Sequence, residues 1–385
     1  MGRVKIGLEV MVEDEFRDVR GKNIGIVANQ SSLTPQFTHI IDEAKSKGKC
    51  IVKRVFTPEH GFSATERNGK NIYGERYEEE YDVKTYSLYG DGYKPPKEKL
   101  IELDALLFDL QDVGARWYTY ISTLYYCLEA CGEAGIPITV LDRPNPLTGE
   151  IIEGPILESK YKSFIGIAEI PVRYGLTIGE LANYLNQKYN LKAELKVVIM
   201  ENWRREYWFH QTGLPWIPPS PNMPTPETAE VYIGTCLIEA TNISEGRGTV
   251  KPFQIIGSPW IKPKKLAEEL NKSGLTGVMF RPITFKPTMH KYRGRICGGV
   301  EIHVTERENF RPFLMGLQII STIKRLYLEK FRWRKTKGAY MIDLLSGTNS
   351  IRRAIDDDED PWSIVDEMET KIIGYAYEKE KYHIY

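Results

Sequence analysis

Residues 51–61 of the chain read IVKRVFTPEHG. Their apolar, β-branched beginning, Ile51–Phe56, predicts a buried strand. Pro58 ends this strand, because proline has no N–H to donate to a neighbouring strand. Glu59 and His60 then follow at the carboxyl end. Ligands of open α/β sheets bind beyond the carboxyl ends of the strands, so we expect Glu59 and His60 to lie at a functional site.

Three more apolar runs have the same character, and helical patterns lie between them. The predicted strands are Asn23–Asn29, Ala105–Leu110 and Ile138–Leu141, and the predicted helices are His39–Lys47 and Tyr120–Ala134. Continuous apolar strands that alternate with helices indicate a parallel sheet with helices on both faces. The predicted fold class is therefore α/β, with a Rossmann-like, doubly wound parallel sheet.

Polar or charged residues follow each of the four predicted strands. The carboxyl ends of parallel strands share one edge of a sheet, so we expect these side chains to meet in one crevice. They are Asn29, Gln30, Glu59, His60, Asp112, Arg116, Asp142, Arg143 and Asn145. The sequence has neither a Gly-x-Gly-x-x-Gly motif after the first strand nor a Walker A motif. We therefore expect no nucleotide cofactor in this crevice.

The composition limits the classes of partner. The chain carries 52 Lys or Arg and 52 Asp or Glu residues, so its formal net charge is zero. A general nucleic-acid binder has a basic face, and this balance argues against one. The five cysteines include no Cys-x-x-Cys pair, which argues against a structural zinc site, and their odd number and scattered placement favour a reducing compartment. The N-terminus has no long apolar stretch, so we expect a cytoplasmic protein without a membrane partner.

A second domain is predicted from the length of the chain and from a proline-rich segment. The 385 residues exceed what one hydrophobic core usually serves. Residues 213–226 contain six prolines, which is typical of a rigid connector. We therefore divide the chain into a Rossmann-like domain, residues 1–225, and a smaller α+β domain, residues 226–385, that closes the cleft.

Two loops carry glutamates that could act on a sugar. Glu59 could serve as a general acid or base, although a carboxylate in this position could also cap the following turn. The second loop contains Glu239, Glu245 and Arg247. Glycosidases use two carboxyl groups that flank the scissile bond, so one glutamate from each domain would fit that chemistry. The alternative for Glu245 is a structural ion pair with Arg247.

Two other functions remain open from the residues alone. Asp109, Asp112 and Asp142 could form an oxygen-rich magnesium site, which would make the protein a metal-dependent hydrolase. The same carboxylates could instead cap neighbouring helices. A non-catalytic sugar-binding protein is the other alternative.

Long motifs resemble those of one family. They are FTPEHG (56–61), DLQDVGARWYTY (109–120), LDRPNP (141–146), PVRYG (171–175), LPWIPPSPNMP (214–224) and EATNISEGRGT (239–249). These motifs resemble those of the NamZ-like exo-β-N-acetylmuramidase family. The resemblance extends over nearly the whole chain. The resemblance implies a Rossmann-like domain, a smaller C-terminal domain and an active site in the cleft between them.

The resemblance also implies an activity and a set of site residues. The expected reaction is the release of terminal, non-reducing N-acetylmuramic acid from a small saccharide or muropeptide, without a cofactor. Glu59 is the expected catalytic residue, and Glu239 and Glu245 are the candidates for its partner. The residues expected to bind the substrate are Asn29, Gln30, His60, Asp112, Arg116, Tyr118, Asp142, Arg143, Asn145, Asn222, Asn242 and Arg247.

Overall fold

The computed structural model describes residues 2–66, 69–71, 74–90 and 92–385. The strands are β1 (Asn23–Val27), β2 (Ile51–Thr57), β3 (Glu75–Glu78), β4 (Val83–Ser87), β5 (Ala105–Phe108), β6 (Ile138–Leu141), β7 (Leu195–Val198), β8 (Ile255–Ser258), β9 (Val278–Phe285), β10 (Cys297–Val304), β11 (Lys335–Thr336) and β12 (Ala339–Tyr340). The α-helices are α1 (Gly7–Glu13), α2 (Ile40–Ser46), α3 (Lys97–Leu100), α4 (Tyr120–Ala134), α5 (Ile178–Lys188), α6 (Pro226–Thr235), α7 (Pro263–Asn271), α8 (Pro312–Leu326), α9 (Met341–Ser346), α10 (Ser350–Asp356) and α11 (Pro361–Glu380).

A seven-stranded sheet forms the N-terminal part, in the order β3-β4-β2-β1-β5-β6-β7. Its neighbouring strands are parallel, apart from β3, which runs antiparallel to β4 at one edge. The strand order reverses between β1 and β5, which is where doubly wound sheets bind their ligands. The predicted α/β fold class is confirmed.

The predicted bounds of the elements agree best with the structure where the residues are buried. Helix α4 and strand β6 have the predicted bounds, and Gly135 ends α4 with a left-handed φ of 68°. Strands β1 and β5 are each two residues shorter than predicted, because the chain turns into loops before Asn29 and Leu110. Strands β4 and β7 were not predicted, because neither contains a continuous apolar run. Buried and exposed residues alternate in β4, and β7 is partly exposed.

The C-terminal part contains a three-stranded antiparallel sheet in the order β8-β10-β9. Helices α6 and α8 pack together through two glycines, Gly234 and Gly316. A Cβ atom added to Gly234 would lie 2.0 Å from the carbonyl oxygen of Pro312 and 2.9 Å from the amide of Gly316. The two backbones therefore touch, and any larger residue at Gly234 would force them apart. This contact fixes the direction in which the chain leaves α6 toward Glu239.

One hydrophobic cluster extends through both parts of the chain. It includes Phe108 and Leu124 from the N-terminal part, and Leu237 and Leu317 from the C-terminal part. The two walls of the cleft therefore share a core. The division at residue 225 stays a prediction. Thr225 is the N-cap of α6, where its hydroxyl accepts a hydrogen bond from the amide of Thr228 at 3.3 Å.

Helix α11 returns to the N-terminal part at the end of the chain. Tyr375 packs edge to face on Tyr184 of α5, with ring centroids 5.9 Å apart, and its hydroxyl donates to the carbonyl of Tyr174 at 2.8 Å. The same helix carries charged residues throughout its 20 residues. Neither α11 nor any other helix of the described residues is long and apolar enough to cross a membrane.

Candidate active site

The loop after β2 brings Glu59 to the edge of the sheet. The amide of Gly61 donates to the carbonyl of Pro58 at 3.1 Å, which closes a tight turn directly after the strand. His60 lies within this turn with a φ of 76°, a left-handed conformation that is uncommon for residues with a side chain. Its Nδ1 lies 2.8 Å from the carbonyl oxygen of Glu66. His60 thus holds the loop together beside Glu59.

Donors from two separate loops hold the carboxylate of Glu59, which is buried. The amide of Gly69 donates to Oε1 at 2.8 Å, and the hydroxyl of Thr119 donates to Oε2 at 2.9 Å. Thr119 is the N-cap residue of α4, so the carboxylate lies beside the positive end of that helix. These contacts fix the orientation of Glu59.

The second carboxylate loop is organised around Arg247. Its Nη1 lies 2.7 Å from Oε1 of Glu239 and 3.0 Å from Oε1 of Glu245. Lys291 lies 2.9 Å from the other oxygen of Glu245 and also donates to the carbonyls of Ile238 and Ile243, at 3.0 and 2.7 Å. Two cations and two carboxylates therefore form one connected cluster, in which each side chain is 15% exposed or less.

The two glutamates of this cluster have different surroundings. Burial raises the pKa of Glu245, but the charges of Lys291 and Arg247 outweigh this effect and bring the pKa down to about 2. Glu245 is thus ionised at neutral pH and lies away from solvent, with 3% of its side chain exposed, against 15% for Glu239. Glu239 is the more accessible carboxylate of the loop.

Glu59 and the Arg247 cluster border the same cavity, which has a volume of about 370 Å³. This volume is near the lower end of the range for small-molecule sites. The described lining residues are Glu59, His60, Gly69, Tyr89, Trp117, Tyr118, Thr119, Tyr120, Ile165, Ser220, Asn222, Met223, Tyr232, Cys236, Glu239, Arg247, Phe253, Thr336, Met341 and Leu345. Both parts of the chain therefore contribute carboxylates and aromatic rings to the lining of one cavity.

Two family profiles match this chain. The profile of the N-terminal region of exo-beta-N-acetylmuramidase NamZ matches residues 24–227, and the profile of its C-terminal region matches residues 230–385. The chain belongs to the NamZ family. The resemblance carried by the six motifs is confirmed, and with it the enzyme class, since this family is one of glycosidases.

A curated relative of the NamZ family supports the same assignment. Peptidoglycan beta-N-acetylmuramidase NamZ of Bacillus subtilis strain 168 is 43% identical over 383 residues, which cover 100% of this chain and 92% of the relative. Identity at this level over the full length also supports the predicted exo-β-N-acetylmuramidase function.

Two solved structures show that the NamZ fold recurs in Bacteroides fragilis NCTC 9343. Both are described as DUF1343 family proteins. One aligns with a TM-score of 0.92 at 32% identity, and the other with a TM-score of 0.77 at 27% identity. Each alignment covers 100% of this chain and 99% of the solved chain. The arrangement of the two parts is thus common to proteins that share fewer than a third of their residues.

Six of the residues predicted for the site line the cavity. They come from four separate regions of the sequence and are Glu59, His60, Tyr118, Asn222, Glu239 and Arg247. Glu245 is one step removed, since it contacts the cavity wall through Arg247. The catalytic and binding roles of these residues stay predictions.

Two residues predicted for the site, Arg143 and Asp112, do not line this cavity and instead bind other residues of the protein. Arg143 donates to both oxygens of Asp109, at 2.5 and 2.8 Å, and this pair is buried. Asp112 accepts hydrogen bonds from the hydroxyl of Tyr174 and from the amide of Gly114. Burial raises the pKa of Asp112 to about 6. These contacts stabilise the loops after β5 and β6.

Asp142 joins the end of β6 to α5 and to the C-terminal residue. It accepts hydrogen bonds from the hydroxyl of Thr177 and the amide of Gly179, both at 2.7 Å, and from the hydroxyl of Tyr385 at 2.6 Å. Burial raises its pKa to about 7. Within the described part of the chain, no group of three His, Cys, Asp or Glu side chains could hold a metal ion. The aspartates of the metal-dependent alternative thus share no common site there.

Arg116 binds four backbone carbonyls from three separate segments. Its guanidinium donates to the carbonyls of Pro155, Ile170, Leu345 and Ser346 at 2.7 to 2.9 Å. Complete burial lowers its pKa to about 9. The contacts place Arg116 beneath the cavity, where it ties the N-terminal part to α9.

The remaining predicted residues are amides that also contact backbone carbonyls. Asn29 donates to the carbonyl of Pro219 at 3.0 Å, and Gln30 donates to the carbonyl of Pro218 at 2.8 Å. Asn145 and Asn242 donate to the carbonyls of Leu176 and Lys330, at 2.9 and 2.7 Å. The first pair holds the proline-rich segment over the switch point of the sheet. Their predicted part in substrate binding stays a prediction.

Several lining residues were missed by the sequence prediction. Thr119 lies within the motif DLQDVGARWYTY, but only the structure shows its bond to Glu59. Tyr89, Phe253 and Thr336 come from segments without a recognisable local pattern. The one signal in the sequence was the position of Thr119 directly before a predicted helix.

Proposed function

We propose that this chain releases terminal, non-reducing N-acetylmuramic acid from peptidoglycan fragments, with Glu59 as the acid and Glu239 as the second carboxylate. The observation that carries these roles is that a glutamate from each part of the chain lines one cavity. A cavity of this size suits one terminal sugar, which is what an exo-acting enzyme has to enclose.

Glu59 would give its proton to the glycosidic oxygen. The bond from this oxygen to the anomeric carbon then breaks, and the leaving sugar departs as an alcohol while positive charge develops on the ring. The amide of Gly69 and the hydroxyl of Thr119 hold the carboxyl group in place for this step. Water then attacks the anomeric carbon, its oxygen becomes the hydroxyl group of the released N-acetylmuramic acid, and its proton is taken up by Glu59 or Glu239.

Glu239 is favoured over Glu245 as the second carboxylate because of accessibility and pairing. Glu239 lines the cavity, whereas Glu245 lies behind Arg247 and is also paired with Lys291. The negative charge of Glu239 would stabilise the developing positive charge on the sugar ring or activate the water. Glu245 would keep Arg247 in position.

Arg247 is the proposed partner for the lactyl carboxylate of the substrate. It is the only lysine or arginine among the described lining residues. A guanidinium can bind one carboxylate while it keeps a hydrogen bond to another, because it has five donors in a fixed plane. The aromatic lining, which includes Trp117, Tyr118 and Tyr232, would pack against the faces of the sugar.

Substitution of the acid tests the proposal. Glu59→Gln should lower kcat for release of N-acetylmuramic acid from a disaccharide by about 100- to 10,000-fold, the usual contribution of a positioned acid. Glu66→Gln is the matched control, because Glu66 lies in the same loop but its carboxylate pairs with exposed Lys70. Wild-type turnover by Glu59→Gln would remove Glu59 from the mechanism.

A further inference from the structure

Four aromatic rings pack together beside the cavity, and we call them the aromatic ladder: Tyr89, Tyr93, Tyr126 and Phe164. Tyr93 and Phe164 lie face to face, with ring centroids 3.9 Å apart and planes inclined by 18°. The ring of Tyr126 is nearly parallel to both, at 6.0 Å from Tyr93 and 6.4 Å from Phe164. Tyr89 completes the ladder at 5.4 Å from Phe164.

The ladder is built on fixed backbone. Phe164 lies at the tip of a tight turn in which Ser163 and Gly166 exchange two backbone hydrogen bonds of 3.0 Å. The hydroxyl of Ser122 in α4 donates to the carbonyl of Phe164 at 2.7 Å. Tyr126 comes from the same helix, one turn after Ser122. The rings are therefore held in place by a turn and a helix rather than by one another alone.

The ladder leads from the cavity to the surface. Tyr89 lines the cavity, and so does Ile165, the neighbour of Phe164 in the turn. At the other end Tyr93 is 40% exposed. The charge of Glu59 contributes, after burial, to raising the pKa of Tyr89, so the first ring of the ladder lies close to the proposed acid.

We propose that the aromatic ladder binds the sugar residues on the leaving-group side of the scissile bond. This inference rests on the proposed function. An exo-acting enzyme encloses one terminal sugar, so the rest of the saccharide must leave through the mouth of the cavity. The ladder begins beside Glu59, which would protonate the oxygen that joins the two sides. Pyranose rings present flat faces of C–H groups, and these faces pack against aromatic rings.

The ratio of two activities tests the ladder. The measured quantity is kcat/KM for a tetrasaccharide with a terminal N-acetylmuramic acid, divided by kcat/KM for 4-nitrophenyl β-N-acetylmuramide. Tyr93→Ala and Phe164→Ala should each lower this ratio by roughly fivefold to tenfold, the size expected for one stacked ring. Tyr93→Phe keeps the ring and should restore the ratio.

A control variant outside the ladder shows whether the effect is specific to these rings. Tyr377→Ala removes an aromatic ring that is 69% exposed on α11, away from the ladder, and should leave the ratio as in the wild type. An unchanged ratio in Tyr93→Ala, with the wild type active on both substrates, would overturn the ladder proposal. Tyr93 is partly exposed, so this variant tests the ladder even where Phe164→Ala fails to fold. A wild type that is inactive on both substrates would instead overturn the proposed function.

Discussion

Two buried arginines at the two sides of the cleft make an informative pair. Arg143 in the N-terminal part and Arg247 in the C-terminal part are each 6% exposed and each contact carboxylates. Arg143 directs two donors to the single carboxylate of Asp109, which is fully buried. Arg247 instead divides one nitrogen between Glu239, on the cavity wall, and Glu245 behind it.

The difference between the two clusters lies in where their carboxylates face. The pair of Arg143 and Asp109 is closed, because both oxygens of the carboxylate are bonded to the guanidinium. The Arg247 cluster opens onto the cavity through Glu239. Both clusters are buried and ion-paired, so only the contact with the cavity distinguishes the Arg247 cluster, for which we propose a part in the chemistry.

The largest expected effect comes from opening the closed pair. Arg143→Ala leaves Asp109 buried without its counter-ion, so we expect a loss of about 3–5 kcal/mol in the free energy of unfolding. Urea denaturation measures this loss, and kcat/KM of the remaining folded protein should stay near the wild-type value. A stable variant with impaired kcat/KM would instead support the role in substrate binding that the sequence predicts for Arg143.

A double variant separates loss of the pair from loss of packing. Asp109→Asn in the Arg143→Ala background removes the stranded charge, so the double variant should recover part of the lost stability. If the double variant were less stable than Arg143→Ala by the full cost of a second substitution, the two side chains would not be energetically coupled.

A smaller effect, and one on activity, is expected at the open cluster. Arg247→Lys keeps the charge but loses the planar fork that can serve Glu239 and a substrate carboxylate together. We expect kcat/KM for the disaccharide to fall by roughly 10- to 100-fold, with a smaller change in stability than at Arg143. If Arg247→Lys were destabilised but fully active, Arg247 would have a structural role like that of Arg143, and the proposed difference between the two clusters would be wrong.

A matched substitution shows whether the effect belongs to the site. Arg281 on β9 is also paired with a glutamate, Glu301, but its side chain is 56% exposed. Arg281→Lys should therefore change neither kcat/KM nor the free energy of unfolding by a measurable amount.

The sequence predicted the fold better than it predicted which strand-end residues line the cavity. Strand β6 and helix α4 were predicted correctly because buried apolar runs and helical periodicity are local properties. Whether a carboxylate at the sheet edge faces a cavity depends on its partners, which come from distant parts of the chain. Asp109 is paired with a residue 34 positions away, and the hydroxyl that binds Glu59 lies 60 positions away.

Asp142 tests a third way of holding a carboxylate at the same edge, and its effect on stability is expected to depend on pH. Unlike Asp109, it accepts hydrogen bonds from hydroxyls and amides, and no Lys, Arg or His side chain of the described residues forms an ion pair with it. Burial raises its pKa from 3.8 to about 7. Between these two values the folded protein binds a proton more tightly than the unfolded chain does. The contribution of Asp142 to stability is therefore present below the lower value and is lost as the pH rises toward 7.

Asp142→Asn should remove this dependence on pH. The free energy of unfolding of the wild type, relative to the variant, should fall by up to about 1.4 kcal/mol per pH unit between pH 4 and pH 7 and then level off. Urea denaturation at each pH measures this difference, with the exposed Asp366→Asn as the control. Parallel curves for the wild type and Asp142→Asn would mean that the pKa of Asp142 is the same in the folded and the unfolded chain, so that its hydroxyl and amide donors offset the effect of burial. The distinction between a closed ion pair and a buried, protonatable carboxyl at this edge would then disappear.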